Sequence, residues 1–282
     1  MIENRPWLTF CAHLLLVLGV AAVALPVWLA FTAATHDSHS FIGGQASWWF
    51  GDRGLSVFAE VLGGQASREL GVPVAKMLFN STLMALLIAL GKLTISMLSA
   101  YAVVFFRFPG RMLCFWLIFI TLMLPVEVRI MPTFKIVADL GLLNSMTGLT
   151  LPLIASATAT FLFRQFFLTL PPELVEAARM DGAGPWRFFK DMVLPLSRTN
   201  LAALFVITFI YGWNQYLWPL LITTDDSHYT IVMGLSRMLA VDNGDIAWNR
   251  VMAASLLAML PPVLVVIGMQ KFFVKGLVES EK

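Results

Sequence analysis

Six stretches of the 282-residue chain are apolar over lengths that cross a bilayer, and nothing else in the sequence restricts its folding so tightly. They cover residues 8–34, 77–106, 113–134, 147–168, 200–222 and 251–273. At about 1.5 Å per helical residue each is long enough for a hydrocarbon core of roughly 30 Å. With 59% hydrophobic residues the chain has too little polar surface to cover a soluble globule. The expected fold is an all-α integral membrane protein, a single transmembrane domain over 1–282.

The distribution of charge orients the six spans. The turn Arg107-Phe108-Pro109-Gly110-Arg111 is short, basic and free of acids, which marks it as cytoplasmic. Carrying that assignment along the chain puts eleven lysines and arginines inside and seven outside, with Lys92 within the second span. Both termini are then expected in the cytoplasm. A competing reading of the first span is a signal peptide cleaved near Ala22-Val23-Ala24, but the apolar run continues through Phe31 and exceeds an ordinary signal core. Residues 35–76 form a long external loop, glycine-rich and bearing Trp48-Trp49, whose indoles suit the membrane surface. An apolar piece at 229–241 is too short to span and is expected in the interface.

Polar residues inside the spans are the candidates for a solute route. Lys92, Ser96 and Ser99 share one face of the second span, and a lysine at that depth must face the bundle, a wet cavity or an interface. In the fifth span Tyr211, Asn214, Gln215 and Trp218 recur at i, i+3, i+4 and i+7, on one face of a continuous helix. Such side chains line a path or knit helices together, and the sequence leaves both open. Ser156 and Thr160 in the fourth span are placed to hydrogen-bond neighbouring helices. Pro125 breaks or kinks the third span, and Glu127 and Arg129 follow it as caps of an outer mouth or as an ordinary ion pair. Pro261-Pro262 lies inside the sixth span.

Several chemistries are excluded. The net charge of +2 is small and scattered, which gives no reason to expect nucleic acid as a partner. Cys11 and Cys114 are too few for a disulfide framework or metal site and read as buried small hydrophobes. No G-x-x-x-x-G-K-[ST] occurs, no nucleophile, base and orienting acid can be assigned, and no metal-ligand cluster stands out. No catalytic or metal-ligating residue is therefore expected, and the chain itself is not expected to be an enzyme.

The long polar interruption at 171–197 carries the most specific signal. Pro171-Pro172 suits a first helical turn, with Glu173 and Glu176 near the positive end of the dipole. Gly182 is a stop, and Gly184-Pro185 opens a second helix that Leu194-Pro195 ends. Leu174, Ala177, Ala178 and Asp181 fall on a small face of the first helix; Trp186, Phe189 and Val193 fall on a bulky face of the second. An amphipathic hairpin resting on lipid headgroups accounts for this pattern, as does a docking element with small residues that admit another protein's backbone.

Glu176-Ala177-Ala178, Gly182 and Leu194-Pro195 stand at the spacing of the cytoplasmic EAA loop of ATP-binding-cassette importer permeases, with Met192 where that pattern usually carries isoleucine or valine. The six-span layout resembles the carbohydrate-uptake, maltose-type branch of these permeases. More narrowly, FITLMLPVEVRI at 119–130, TLPLIASATATFLFRQFF at 150–167, LPPELVEAARMDGA at 170–183 and FVITFIYGWNQYLWPL at 205–220 are similar to E-type permeases of sn-glycerol-3-phosphate importers. The resemblance covers nearly the whole chain apart from the external loop. It implies the type I importer permease architecture in a bacterial inner membrane. It also implies a second homologous permease, two ATP-binding subunits that hold ATP and magnesium, and a periplasmic or surface solute-binding protein; this chain binds no cofactor. Glu176, Ala177, Ala178, Asp181, Gly182, Leu194 and Pro195 would couple to the ATPase, with Ala177 and Ala178 as the close-packed face. Lys92, Ser96, Ser99, Tyr211, Asn214 and Gln215 would border the translocation path.

An ion-coupled secondary transporter using Lys92 with Glu127 and Arg129 is the alternative from another class, as is a permease for a different sugar within the same one. The first leaves the EAA spacing unexplained. A membrane-embedded lipid enzyme lacks a carboxylate or histidine cluster on the cytoplasmic face, since His36, His39 and His228 fall outside and His13 is alone in the first span.

Overall fold

A computed structural model describes residues 6–38, 48–63, 72–121, 124, 126–240 and 246–279. Pro125, His39, Gly43-Gly44 and the terminal residues Arg5 and Lys282 lie outside the described residues, as does the side chain of Glu127. The described residues are helical, with no strand among them. The chain divides into two compact units, Met1–Lys76 with Gly234–Leu260, and Met77–Met233 with Pro261–Lys282.

The first unit contains helix α1, Pro6–Ala34, and helix α2, Ser56–Gly63. Most of α1 is exposed and apolar, as a span facing lipid must be. Cys11 lies on that surface, and Cys114 is also exposed, so neither is the buried hydrophobe expected of it; a thiol is apolar enough to face lipid tails. Within the glycine-rich stretch at 35–76, α2 buries Val57 and Val61, and Arg53 pairs with Glu60 at 2.6 Å. Asn249 donates to the His36 carbonyl and accepts from Ser38, which holds the end of the first span to this unit's later segment.

In the second unit, α3 (Val74–Phe105) is the central unbroken span. Helix α4, Arg111–Ile120, and helix α5, Val126–Asp139, occupy the third apolar stretch, on either side of the region around Pro125. The fourth stretch is bent: α6, Met146–Thr150, runs through a 3-10 turn at Leu151–Leu153, and α7, Ala157–Leu168, leaves it at 48°. The physical cause is Pro152, which has no N–H for the Gly148 carbonyl. The Trp218 indole supplies the missing donor, at 3.2 Å. Ser156 caps α7 at Ala159, and Thr160 donates to the Ser156 carbonyl, so this pair is spent on the bend and not on a neighbouring helix.

The polar loop folds as α8, Pro172–Met180, and α9, Pro185–Leu196, and the chain turns by 74° into α10, Arg198–Trp213. The fifth apolar stretch is not one helix. It stops at Trp213 and resumes as α11, Leu217–Ile222. Pro219 explains the interruption: in a continuous helix its ring would strike the Gln215 carbonyl, four residues earlier, and leave that carbonyl without a donor.

The apolar piece after the fifth stretch forms α12, Ile231–Leu239, and α13, Trp248–Glu279, carries Pro261-Pro262 without ending. Ile231 and Met233 are fully buried, and the Ile231 amide donates to Ser81, so the start of α12 is held within the protein. Of the two forms expected for this piece, a re-entrant or a surface helix, the buried start disfavours one that only rests on the surface. Close approach of α3 and α10 depends on Gly212, where an added Cβ would lie 3.0 Å from the Ala85 Cα.

Candidate functional site

The two-helix element at 172–196 is built from local chemistry that ends one helix and fixes the next. Gly182 takes φ +69°, a conformation that costs an L-residue with a side chain about 1 kcal/mol or more. This permits a Schellman closure in which the Ala183 amide donates to the Ala178 carbonyl at 2.9 Å and the Gly182 amide to the Arg179 carbonyl at 3.1 Å. Pro185 then opens α9, and a π turn at Phe189–Val193 precedes Pro195. A wider turn fits there, because Pro195 offers no N–H to the Asp191 carbonyl.

A hydrogen bond and two ring contacts hold this element to the bundle. The Tyr101 hydroxyl near the C-terminal end of α3 donates to the Pro185 carbonyl at 2.7 Å. Its ring lies 5.0 Å from that of Phe189, and Phe105 lies 5.4 Å from Phe188. Ala178 joins the same apolar cluster and is only 4% exposed. The small face of α8 is therefore divided, with Ala178 turned into its own bundle and Ala177 half-buried beside it. Ala178 is not available as a docking surface; the helix needs a small residue there because aromatic rings already fill the space. Glu176, Arg179, Asp181 and Gly182 are exposed, Leu194 is exposed at the other end of the element, and Pro195 is half-buried. Met180 is 83% exposed and Trp186 69%, an apolar pair that no part of the described chain covers. Trp186 stacks flat on Phe189, so the bulky face of the second helix is buried at Phe189 and Val193 but open at Trp186.

The polar residues of the spans gather around two cavities in the second unit. One, of about 390 Å³, is bordered by Arg129, Thr133, Tyr211, Asn214, Gln215 and Trp218. The other, of about 400 Å³, is bordered by Lys92, Ser99, Thr158, Thr160, Tyr211 and Arg129. The break at 214–216 removes the continuous helical face on which the fifth-span residues were placed, yet Tyr211, Asn214 and Gln215 still converge on the first cavity. Gln215 also donates to the Tyr211 carbonyl across the break. Trp218 does the knitting instead, through Gly148.

Lys92 is 7% exposed, and its ammonium lies 3.4 Å from the centroid of the Tyr211 ring. A lysine in mid-span costs about 2.5–3.5 kcal/mol on insertion scales. An aromatic face at this distance offsets on the order of 2 kcal/mol once water is excluded. Ser96 does not line either cavity: it is buried and donates to the Ser156 carbonyl at 3.1 Å, which supports the bend before α7. Arg129, read from sequence as a cap of an outer mouth, half of an ion pair with Glu127 or a solvated charge at a helix end, borders both cavities. At the inner end of α7, Arg164 lies 4.3 Å over the Phe115 ring of α4. No cluster of three or more metal-ligating side chains is found among the described residues.

The family described as "Binding-protein-dependent transport system inner membrane component" matches residues 92–279. Proteins named "sn-glycerol-3-phosphate transport system permease protein UgpE" from Agrobacterium fabrum and Brucella melitensis are 58% and 56% identical to the chain, over the full length of both sequences. The protein of that name from Escherichia coli O157:H7 is 58% identical, again over both full lengths. Among solved structures, a chain of a bacterial ABC transporter involved in import of the acidic polysaccharide alginate superposes with a TM-score of 0.79 at 20% identity, covering 97% of this chain and 99% of that one. With this helical architecture and these full-length relatives, the chain belongs to the inner-membrane component family of binding-protein-dependent transport systems, the permeases of ABC importers.

Proposed function

We propose that the chain is one of two pore-forming subunits of an ATP-driven importer that moves sn-glycerol-3-phosphate, or a glycerophosphodiester, into the cytoplasm by alternating access. The observation that carries this reading is the anchored two-helix element at 172–196, whose Met180 and Trp186 are open to a partner while Tyr101, Phe188 and Phe189 lock it to α3. The choice of solute rests on the names of the full-length relatives. The partners are a second permease, two ATP-binding subunits that hold ATP and magnesium, and a solute-binding protein outside. Both termini lie in the cytoplasm of a bacterium's inner membrane.

In this mechanism ATP closes the paired ATPases and displaces the docked α8. The aromatic lock transmits the displacement to α3, and the spans exchange inward-open for outward-open. Nucleotide and solute shift that equilibrium only as far as each prefers one state. Gentle detergent purification of the tagged chain from its own membranes, with mass spectrometry of what stays bound, tests the assembly. Recovery of a second permease and a nucleotide-binding subunit is expected. A lone chain or a homo-oligomer in repeated mild preparations overturns the reading.

A further inference from the structure

We infer that Arg129 and Lys92 are two successive anion stations on this chain's side of the pore, separated by Tyr211, so that the permease itself favours a phosphoryl-type anion. The identity of the solute that crosses rests on the importer reading above; the stations follow from the cavities. Arg129 and Tyr211 border both cavities, while Lys92 borders only the second. A solute leaving the first cavity for the second therefore keeps Arg129 beside it and gains Lys92.

The linings have the chemistry that an oxyanion needs. No described carboxylate borders either cavity, and no described carboxylate pairs with Lys92 or Arg129. The Asn214 amide in one and the Ser99 and Thr158 hydroxyls in the other supply neutral donors, while the Thr133 hydroxyl is spent on the Arg129 carbonyl. Each cavity, at about 390–400 Å³, has room for a molecule of the size of a three-carbon phosphate with water around it. The Tyr211 ring holds Lys92 by one face only, and an ammonium has three donors, so donors remain to meet an anion while the charge stays fixed.

The test reads the local field directly. In the complete complex reconstituted in vesicles, with C11A and C114A as background, T158C and N214C each introduce one thiol beside a cavity. Reaction rates are measured with the anionic sulfonatoethyl and the cationic trimethylammonioethyl methanethiosulfonate. Relative to a free thiol, the anionic reagent is expected to gain at least tenfold at both positions. K92Q should lower that gain at least fivefold at the T158C thiol, R129Q should lower it at both, and K92R should restore it. A ratio in the unaltered cavity equal to that of a free thiol, or one insensitive to K92Q and R129Q in assembled complexes, overturns the stations. Uptake of labelled sn-glycerol-3-phosphate by the same vesicles without these substitutions is scored separately. Absent uptake with a preserved anionic preference sinks the importer reading and leaves the stations standing; uptake without any preference does the reverse.

Discussion

The Tyr101 hydroxyl donates to the Pro185 carbonyl at 2.7 Å, which ties the C-terminal end of α3 to the first turn of α9. That carbonyl also accepts from the Phe189 amide, using its second lone pair, and the proline ring rigidifies the backbone that carries it. The rings of Phe105, Phe106 and Phe189 surround the tyrosine, so the bond sits in an apolar cluster. A displacement of the two-helix element at 172–196 is then a displacement of α3.

Tyr101→Phe keeps the ring contacts and removes the bond, leaving the Pro185 carbonyl with the Phe189 amide as its donor. A loss of about 1 kcal/mol in stability is expected, with a severalfold fall in solute moved per ATP hydrolysed. Thermal melting of the purified complex and paired uptake and hydrolysis assays check both parts.

Gly182→Asp places a side chain at φ +69° and adds an acid at the negative end of α8. Nothing lies within 4 Å of the position, so the penalty is conformational and electrostatic, not a clash. Coupled transport is expected to fall at least tenfold while the chain still inserts in the membrane. Uptake at the unaltered rate contradicts the rigid-lever account.

Ala178→Leu and Met180→Ser separate the two sides of α8. The first forces a larger side chain into the cluster with Phe188 and Phe189 and should cost about 1–3 kcal/mol of stability. The second alters an exposed residue and should leave stability within about 0.5 kcal/mol while reducing recovery of the ATP-binding subunit. Melting curves and quantitative co-purification distinguish them.

Gly212→Val puts a branched side chain against the Ala85 backbone, where a Cβ already lies at 3.0 Å. The contact is with main chain, which cannot swing away. Destabilisation of about 1–3 kcal/mol is expected, read as a lowered melting temperature.

The long apolar helices and the two-helix element at 172–196 were legible because each rests on local chemistry. Runs of twenty or so apolar residues admit few structures in lipid, and proline at a helix start with glycine at its end forms a local code. The breaks were less legible because they involve prolines inside apolar runs, where hydropathy is blind. Pro219 interrupts the fifth stretch and Pro152 bends the fourth, and only the structure reveals that Trp218 repairs the carbonyl that Pro152 leaves open. Ser96 and Ser99 look equivalent in sequence, yet one supports a bend and the other borders a cavity. Ala178 likewise matches a docking motif by spacing while its side chain is committed to its own bundle. Arg129 was visible as a charge, but its place between two cavities depends on chain direction after residue 125, which periodicity does not encode.

ATP-dependent uptake tests the central claim most directly. Vesicles holding the complete complex, with the binding protein and labelled sn-glycerol-3-phosphate outside and ATP with magnesium inside, should accumulate label. Omission of this chain, or Gly182→Asp in it, should abolish that accumulation or reduce it at least tenfold. Equal accumulation without ATP, or without this chain, contradicts the account.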